Sequence, residues 1–432
     1  MRPEPVARPI FGVHHLSEGC QVTDTERSAR TILLFALFVF SASCTKPDPN
    51  QIERRGADGV REAVSIVPEP LPAPYQLIED LVIGVEYGDE GEMLRFPLDF
   101  IVLEDGTHVI LDNSPLQIRI FNADGSFRRA FGQQGSGPND LRQYRRSQGS
   151  SIKTVETGGI EVWTGWPTFS QIWTVNGDMV SSETLNNSHQ FRKGQRPRRF
   201  FARGDKIFGQ LMTFGTPRVG YMDRIAHIVV TDWEGSSVDT FLTITHADMP
   251  DNIGLFLEIT GIIPLDQILA TSTGRMYVSS FEEDWIREFD LDSGRELLRF
   301  KWEHEPDSFA GGRLESFRDG QYDIEIENGF NWFKERVSIM YLAEGLNSEI
   351  WVQRIERAPP LGRVSILTFP GEGTWPTDIF SSGGAYMGRM DLPYPARTQK
   401  IFGEYIYAIV FRGEGIPTLT RYRLEPADGV EE

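Results

Sequence analysis

Two runs of basic side chains interrupt an otherwise acidic chain. Arg142, Arg145 and Arg146 form the first, and Arg192, Lys193, Arg196, Arg198 and Arg199 the second. The full 432 residues carry 62 Asp and Glu against 43 Lys and Arg, a formal charge of -19. Guanidinium groups gathered in this way hold a carboxylate, sulfate or phosphate through paired N–H donors, and a local positive field on an acidic protein concentrates such anions. The same runs also read as solvated loops that balance nearby acids. The acidic whole argues against non-specific binding of nucleic acid. Indole rings are the second kind of candidate. Trp163, Trp166, Trp173 and Trp233 suit sugar stacking, but aromatics at alternate strand positions mostly fill the space between sheets. Trp166 and Trp375, each followed by proline in an expected loop, are the better sugar-binding candidates.

Patterns for catalysis are missing. The chain has no H-E-x-x-H, C-x-x-C, EF-hand loop or G-x-S-x-G, and the glycines from Gly132 to Gly137 lack the following helix that would aim amides at a pyrophosphate. His108, His189, His227, His246 and His304 are scattered. Metal sites need several convergent ligands, so His108 and His227, which alternate within strands, read as ordinary sheet residues. No catalytic residue and no metal ligand is assigned.

The elements that must position these groups are clearest from Phe96 to Tyr144. Asp99 to Leu103, His108 to Asp112, Gln117 to Asn122 and Phe127 to Phe131 are short runs rich in β-branched and aromatic residues, each closed by turn chemistry, which predicts a four-stranded meander. Asp105-Gly106 and Asp124-Gly125 suggest two-residue type I′ hairpins. A single such sheet has two open edges and needs neighbours like itself.

Copies of the unit recur at Gly106 to Gly125, Gly159 to Gly177 and Gly274 to Gly294. Weaker ones lie at Gly204 to Gly235, Ser348 to Gly371 and Gly403 to Leu424. Insertions are expected around Thr245 to Glu258 and Glu305 to Trp332. The last copy lacks a fourth strand, whereas Tyr75 to Val85 is a lone strand ahead of the first, so pairing the two would close a ring and remove the open edges. The fold expected is all-β, a six-bladed β-propeller closed by its N-terminal strand. With 42 Gly and 26 Pro the composition has the punctuation that many short strands require.

The string PLDFIVLEDG, VILD, QIRIFNADGSF and FGQQGSGP resembles an NHL-type repeat. The whole is similar to bacterial six-bladed β-propeller lipoproteins whose first blades end in a comparable FGxxGxGP loop. The resemblance is good over Phe96 to Tyr144, fair over Gly274 to Phe300 and a matter of pattern elsewhere. It implies a propeller in the cell envelope and no defined reaction. In a propeller the two basic runs fall in equivalent crossings between blades and meet on one face near the channel mouth. Asp112 with Asn113, Asp232 and Asp284 fall near strand ends, where a ring of them could hold Ca²⁺ as in lactonase-type propellers, although hairpin turns favour the same residues.

At the N-terminus, Thr31 to Phe40 is an apolar run preceded by Arg27 and Arg30 and followed by Ser41-Ala42-Ser43-Cys44, the layout of a secretory signal. Its length falls short of the roughly 20 residues that span a bilayer. Cys44 resembles the lipidated cysteine of a bacterial lipobox, with Ser41 where leucine is usual; a plain signal cut near Ser43 is the other reading. Val22 is the expected alternative start, which leaves His14, His15 and Cys20 without a role. With Cys20 removed and Cys44 lipidated, no cysteine remains for a disulfide or a thiolate metal site. The expected organisation is an extension and signal over 1–44, a flexible proline-rich tether over 45–74, the propeller over 75–426 and an acidic tail over 427–432.

The function expected is a non-enzymatic binding or scaffold module, anchored to the membrane only by lipid. Its ligand would be a protein, peptide or glycan, anionic where the basic runs contribute. An outer-membrane lipoprotein facing periplasm or cell surface, acting as a monomer and without a cofactor, is the corresponding location and state. The alternative is a propeller hydrolase or lyase, lactonase-like or amidating-lyase-like, using Ca²⁺ or another divalent metal at the channel mouth.

Overall fold

The computed structural model describes residues 50–427 apart from 138, 142–149, 156–157, 165–168, 185–199, 204–205, 215–220, 233–237, 251–265, 272, 281–284, 304–338, 355–374 and 414. A hairpin of β1 (Gln51–Arg55) and β2 (Arg61–Ser65) comes first, followed by β3 (Tyr75–Ile83). Blade 1 comprises β4 (Pro97–Val102), β5 (His108–Asn113), β6 (Leu116–Phe121) and β7 (Phe127–Phe131). Blade 2 is β8 (Ser151–Thr154), β9 (Ile160–Thr164), β10 (Phe169–Trp173) and β11 (Met179–Thr184). Blade 3 is β12 (Phe200–Arg203), β13 (Lys206–Phe214), β14 (Tyr221–Asp232) and β15 (Val238–Pro250), and blade 4 is β16 (Gln267–Ala270), β17 (Arg275–Ser279), β18 (Ile286–Asp290) and β19 (Glu296–Trp302). Blade 5 is β20 (Ile339–Glu344), β21 (Ile350–Arg354), β22 (Trp375–Phe380) and β23 (Tyr386–Leu392). Only three strands remain for blade 6: β24 (Gln399–Phe402), β25 (Tyr405–Arg412) and β26 (Ile416–Pro426).

The missing strand is β3, which pairs antiparallel with β26 from Leu419↔Ile83 to Pro426↔Tyr75. Strands within blades 1 to 5 form antiparallel meanders in sequence order, and blade 6 runs β24-β25-β26-β3; first strands of successive blades lie side by side, β4 against β8 and β20 against both β16 and β24. The protein is a six-bladed β-propeller latched by its N-terminal strand, as the pattern of copies suggests.

Burial shows why the blades need one another. All of His108–Asp112 in β5 is buried. Ile110, with Phe100 and Phe121, packs on Tyr407, Ile409 and Leu419 of blade 6. Val109 and Leu111, with Ile101, Ile118 and Ile120, pack on Ile152, Ile160, Val162 and Trp173 of blade 2. Alternate side chains of one strand thus serve two neighbours, and each large one contributes about 1.5–3 kcal/mol when fully buried.

The Asp-Gly turns are not of the type suggested. Gly106 has φ 81° while Asp105 is not in the left-handed region. Gly106 N–H donates to Leu103 O at 2.9 Å and Leu103 N–H to Thr107 O at 2.8 Å, which describes a type I turn completed by one left-handed residue rather than a type I′ turn with two. Asp105 Oδ1 accepts Thr107 N–H at 2.9 Å, so the aspartate is selected for its side-chain cap. Blade 5 also departs from expectation. Its third strand is β22, whereas the strand-like run 364–369 falls outside the described residues.

The largest correction is the tether. Residues 50–74 run along the rim, with β2 parallel to β19 from Leu298↔Arg61 to Trp302↔Ser65, so that β1 and β2 extend blade 4 to six strands. Beyond them, Trp302 Nε1 donates to Val67 O at 2.7 Å and the Trp302 ring stacks on Tyr386 at 4.5 Å. In the proline run, Leu71 O accepts Arg389 N–H at 2.7 Å and Ala73 N–H donates to Arg389 O at 2.9 Å. Pro70, Pro72 and Pro74 lack a donor, but they alternate with the residues that make the edge contacts, which is where a strand tolerates proline. Gly388 sits beneath this strand, where a Cβ would lie 2.5 Å from Pro72 O.

Because β3 supplies the outer strand of blade 6, deletion of residues 75–85 is expected to abolish soluble folding. A stable, cooperatively melting monomer in a gel-filtration and thermal-unfolding experiment on the deleted protein would contradict the closure.

Candidate binding face

Strand alternation gives the ring two unlike faces. Connections from the fourth strand of one blade to the first of the next, and from second to third strand within a blade, join strand ends on one face. These include 84–96, 132–150, 185–199, 251–266, 303–338 and 355–374. On the other face the connections are short, such as 103–107, 122–126, 174–178, 291–295 and 381–385, and none between ring strands is longer than these. The two are called here the loop face and the turn face.

Arg142, Arg145 and Arg146 belong to the connection between β7 and β8, and Arg192, Lys193, Arg196, Arg198 and Arg199 to that between β11 and β12. These are consecutive blade crossings on the loop face. The eight side chains themselves, with Trp166 and Cys44, lie outside the described residues. Trp375 does not lie in a loop: it begins β22, opposite Leu392, and packs half-buried with the core around Tyr341, Trp351 and Tyr394. Its proline neighbour starts the strand instead of ending one.

Near the loop-face end of the first strands, a charged cluster joins three blades. Asp99 of β4 is ion-paired through Oδ1 with Lys400 of β24 at 2.5 Å, and its Oδ2 accepts Ile152 N–H of β8 at 3.0 Å. Lys400 also donates to Phe100 O at 2.9 Å. Both side chains keep some exposure, 34 % for Lys400 and 16 % for Asp99. With its donors shared among three first strands, Asp99 acts as a clip across the axle.

A second carboxylate fixes the approach to blade 1. Asp112 pairs with Arg119 at 3.0 Å, with 0 % and 1 % exposure, and accepts Phe96 N–H at 2.7 Å and Arg95 N–H at 3.1 Å. Arg119 in turn donates to Glu90 O and Gly91 O at 2.8 and 3.0 Å. The segment 84–96 is thereby pinned to the blade. The residues considered for a calcium ring are placed apart where described: Asp112 ends a second strand, on the loop face, Asp232 ends a third strand, on the turn face, and Asp284 falls outside the described residues. Among the described residues, no group of three or more His, Cys, Asp or Glu converges as a metal cage would.

On blades 5 and 6 the described part of the loop face is held by a neutral network. Gln353 Oε1 accepts Ala396 N–H at 3.0 Å, and its Nε2 donates to Tyr394 O at 3.4 Å. The Tyr394 hydroxyl donates to Gln399 Oε1 at 3.1 Å, and Gln399 Nε2 donates to Glu344 O at 2.9 Å. Burial raises the Tyr394 phenol well above its ordinary value, with Tyr422 adding to the effect, so it remains a donor.

The histidines resolve into separate structural roles. His227 Nδ1 faces Thr243 Oγ1 at 3.1 Å across β14 and β15. His246 Nε2 meets Asp266 Oδ1 at 2.8 Å, with both side chains fully buried, and ties the last strand of blade 3 to the start of blade 4. Sequence reasoning missed this pair because its members are twenty residues apart in sequence, across a connection without pattern. His189 and His304 fall outside the described residues. His108 is fully buried at the seam of blades 1 and 6, with Nδ1 donating to Asn122 O at 3.1 Å, Nε2 unpartnered and the Tyr407 ring 5.6 Å away. Burial lowers its pKa, the Asn122 carbonyl opposes that shift, and the Arg421 charge adds to it.

No family model matches the chain, and no curated protein sequence does. Among solved structures, it is similar to a member of the DUF4221 family from Bacteroides vulgatus at 11% identity and a TM-score of 0.52, covering 83% of this chain and 100% of that one. That likeness supports the propeller fold. It is also similar to virginiamycin B lyase from Staphylococcus aureus, at 10% identity, TM-score 0.41 and coverage of 81% and 100%. A gluconolactonase from Xanthomonas campestris gives 12%, 0.39, and 83% and 99%. At those scores neither bears on activity.

Two measurements test the buried charges. Asp112→Ala strands Arg119 in the core and is expected to cost about 3–5 kcal/mol in urea unfolding; a loss below about 1 kcal/mol would remove the pin from the account. His108 stays neutral in the fold while the unfolded residue titrates near about 6.5. Its contribution is therefore complete above that pH and is lost as pH falls toward the lowered folded value. The slope of stability against pH in this window should flatten in His108→Gln, and an unchanged slope would assign it to other groups.

Proposed function

We propose that this propeller is a cell-envelope binding or scaffold module, anchored through Cys44, that engages an anionic protein, peptide or glycan with its loop face. The observation that carries the reading is the segregation of connections: the turn face is closed by short capped turns, while the long segments all depart from the other. Loops on a rigid scaffold are where recognition concentrates. The two basic runs belong to consecutive crossings on that face, and the Asp99–Lys400 clip and the Gln353 network hold the strand ends around it. The NHL-like string of blade 1 and the signal-like run before Cys44 support a bacterial lipoprotein outside the cytoplasm. No catalytic step is part of the proposal.

Dextran sulfate serves as an anionic probe, because a protein of charge -19 should be repelled by it unless a focused basic patch exists. The wild-type protein is expected to bind in a salt-sensitive manner. Each charge-assisted bond contributes roughly 1.5–3 kcal/mol, so replacing Arg145, Arg146, Arg198 and Arg199 with Ser should raise Kd at least about tenfold. Equal binding by the variant sinks the anion-binding reading. A stoichiometric metal by elemental analysis, with a melting temperature that drops on chelation, would instead favour a metal-dependent hydrolase or lyase.

A further inference from the structure

The rim hairpin fixes where the chain enters the propeller, and that point lies on the loop face. β19 runs toward the loop face, because the connection 303–338 that follows it leads to the first strand of blade 5. β2 is parallel to β19 and ends level with it, with Ser65 opposite Trp302 and Ser65 O accepting Glu303 N–H at 2.8 Å. β1 is antiparallel to β2, so Gln51 lies opposite Ser65 and Arg55 opposite Arg61. Asn50 O accepts Ile66 N–H at 2.8 Å. Asn50 and Gln51 therefore stand beside the long connections, and the turn at 56–60 stands on the opposite face.

The distance to the proposed anchor is short. Residues 45–74 cannot act as a free spacer, since those from Asn50 onward are built into the rim. A fully extended chain covers at most about 3.3–3.6 Å per residue, so Cys44 stays within about 25 Å of Gln51. A soluble spacer as long as the whole stretch would have let the ring tumble. Only the residues between Cys44 and Asn50 remain to separate the anchor from the rim.

We propose that the loop face is directed at the membrane, so that the ligand is taken from the membrane surface itself. The partner chemistry is the lipid headgroup layer. The turn face, with its capped turns, points away. This rests on the lipid-anchored reading of Cys44, and the test separates the two.

The acylated protein is reconstituted into vesicles of phosphatidylethanolamine and phosphatidylglycerol that contain a headgroup-nitroxide lipid. Bimane is attached at single introduced cysteines, Ser114→Cys and Glu303→Cys on the loop face and Ala123→Cys on the turn face, all at exposed positions. Mass spectrometry of the N-terminal peptide first reports acylation of Cys44. The two loop-face labels are expected to be quenched severalfold more strongly than the turn-face label. Inserting a Gly-Ser segment of about 30 residues after Pro49, with a root-mean-square reach of about 30 Å, should erase the difference. With Cys44 acylated, equal quenching at all three sites, stronger quenching at Ala123→Cys, or a difference that survives the insertion overturns the orientation and leaves the anchor standing. An unacylated Cys44 overturns both.

Discussion

A four-stranded antiparallel sheet buried on both faces is stable only against another sheet, and a row of such sheets keeps two unsatisfied ends until it closes. That constraint accounts for most of the structure. It explains why β5 is buried throughout, why Phe100 and Ile101, adjacent in one strand, pack in different inter-blade cores, and why the three strands of blade 6 recruit β3 from the other end of the chain. The described core holds no disulfide, so closure depends on these interfaces and on polar clips such as Asp99 with Lys400. The edge strand that seals the ring is also what joins the N-terminal segment to it.

The N-terminal segment shows how composition can mislead. Prolines at alternate positions were sufficient for a flexible reading, because proline cannot continue a hydrogen-bonded ladder from both sides. One edge is a weaker demand. Leu71 and Ala73 need only supply one acceptor and one donor to Arg389, and an extended proline-rich chain already has the required backbone conformation. The hairpin before it was hidden for another reason: REAVS is a short run whose buried residues Glu62 to Ser65 include two polar ones. Glu62 is partnered by Arg54 across the hairpin at 2.7 Å and approached by Arg299 of blade 4 at 3.9 Å, and the second contact comes from a distant part of the chain and leaves no local periodicity.

The fold was legible in the sequence to the extent that each blade repeats a local device. Turns such as 103–107 and 122–126 carry an aspartate that caps the residue two positions on, followed by a left-handed glycine, and this device marks the copies even where their strands diverge. Where the device changes, the sequence is less legible. Blade 5 closes its first turn with Ser348 at φ 62° instead of glycine, and its third strand is β22, later in the chain than the strand-like run 364–369. The candidate site was less legible. Asp112 was noticed for its position near a strand end, but its buried partner Arg119 was not, since an arginine inside QIRIF reads as the solvent-facing member of an alternating strand. His246 and Asp266 carry no shared pattern at all.

The unequal legibility of the two faces has a physical origin that bears on function. On the turn face each connection must reverse the chain within a few residues, so residue types there are dictated by backbone geometry. On the loop face the strand ends are fixed by the blades, and whatever joins them is free of that demand. Residue types in those segments answer to contacts with the blades, such as Leu141 buried with Val109 and Trp173, rather than to chain reversal, and eight basic side chains fall within two consecutive crossings of an acidic protein.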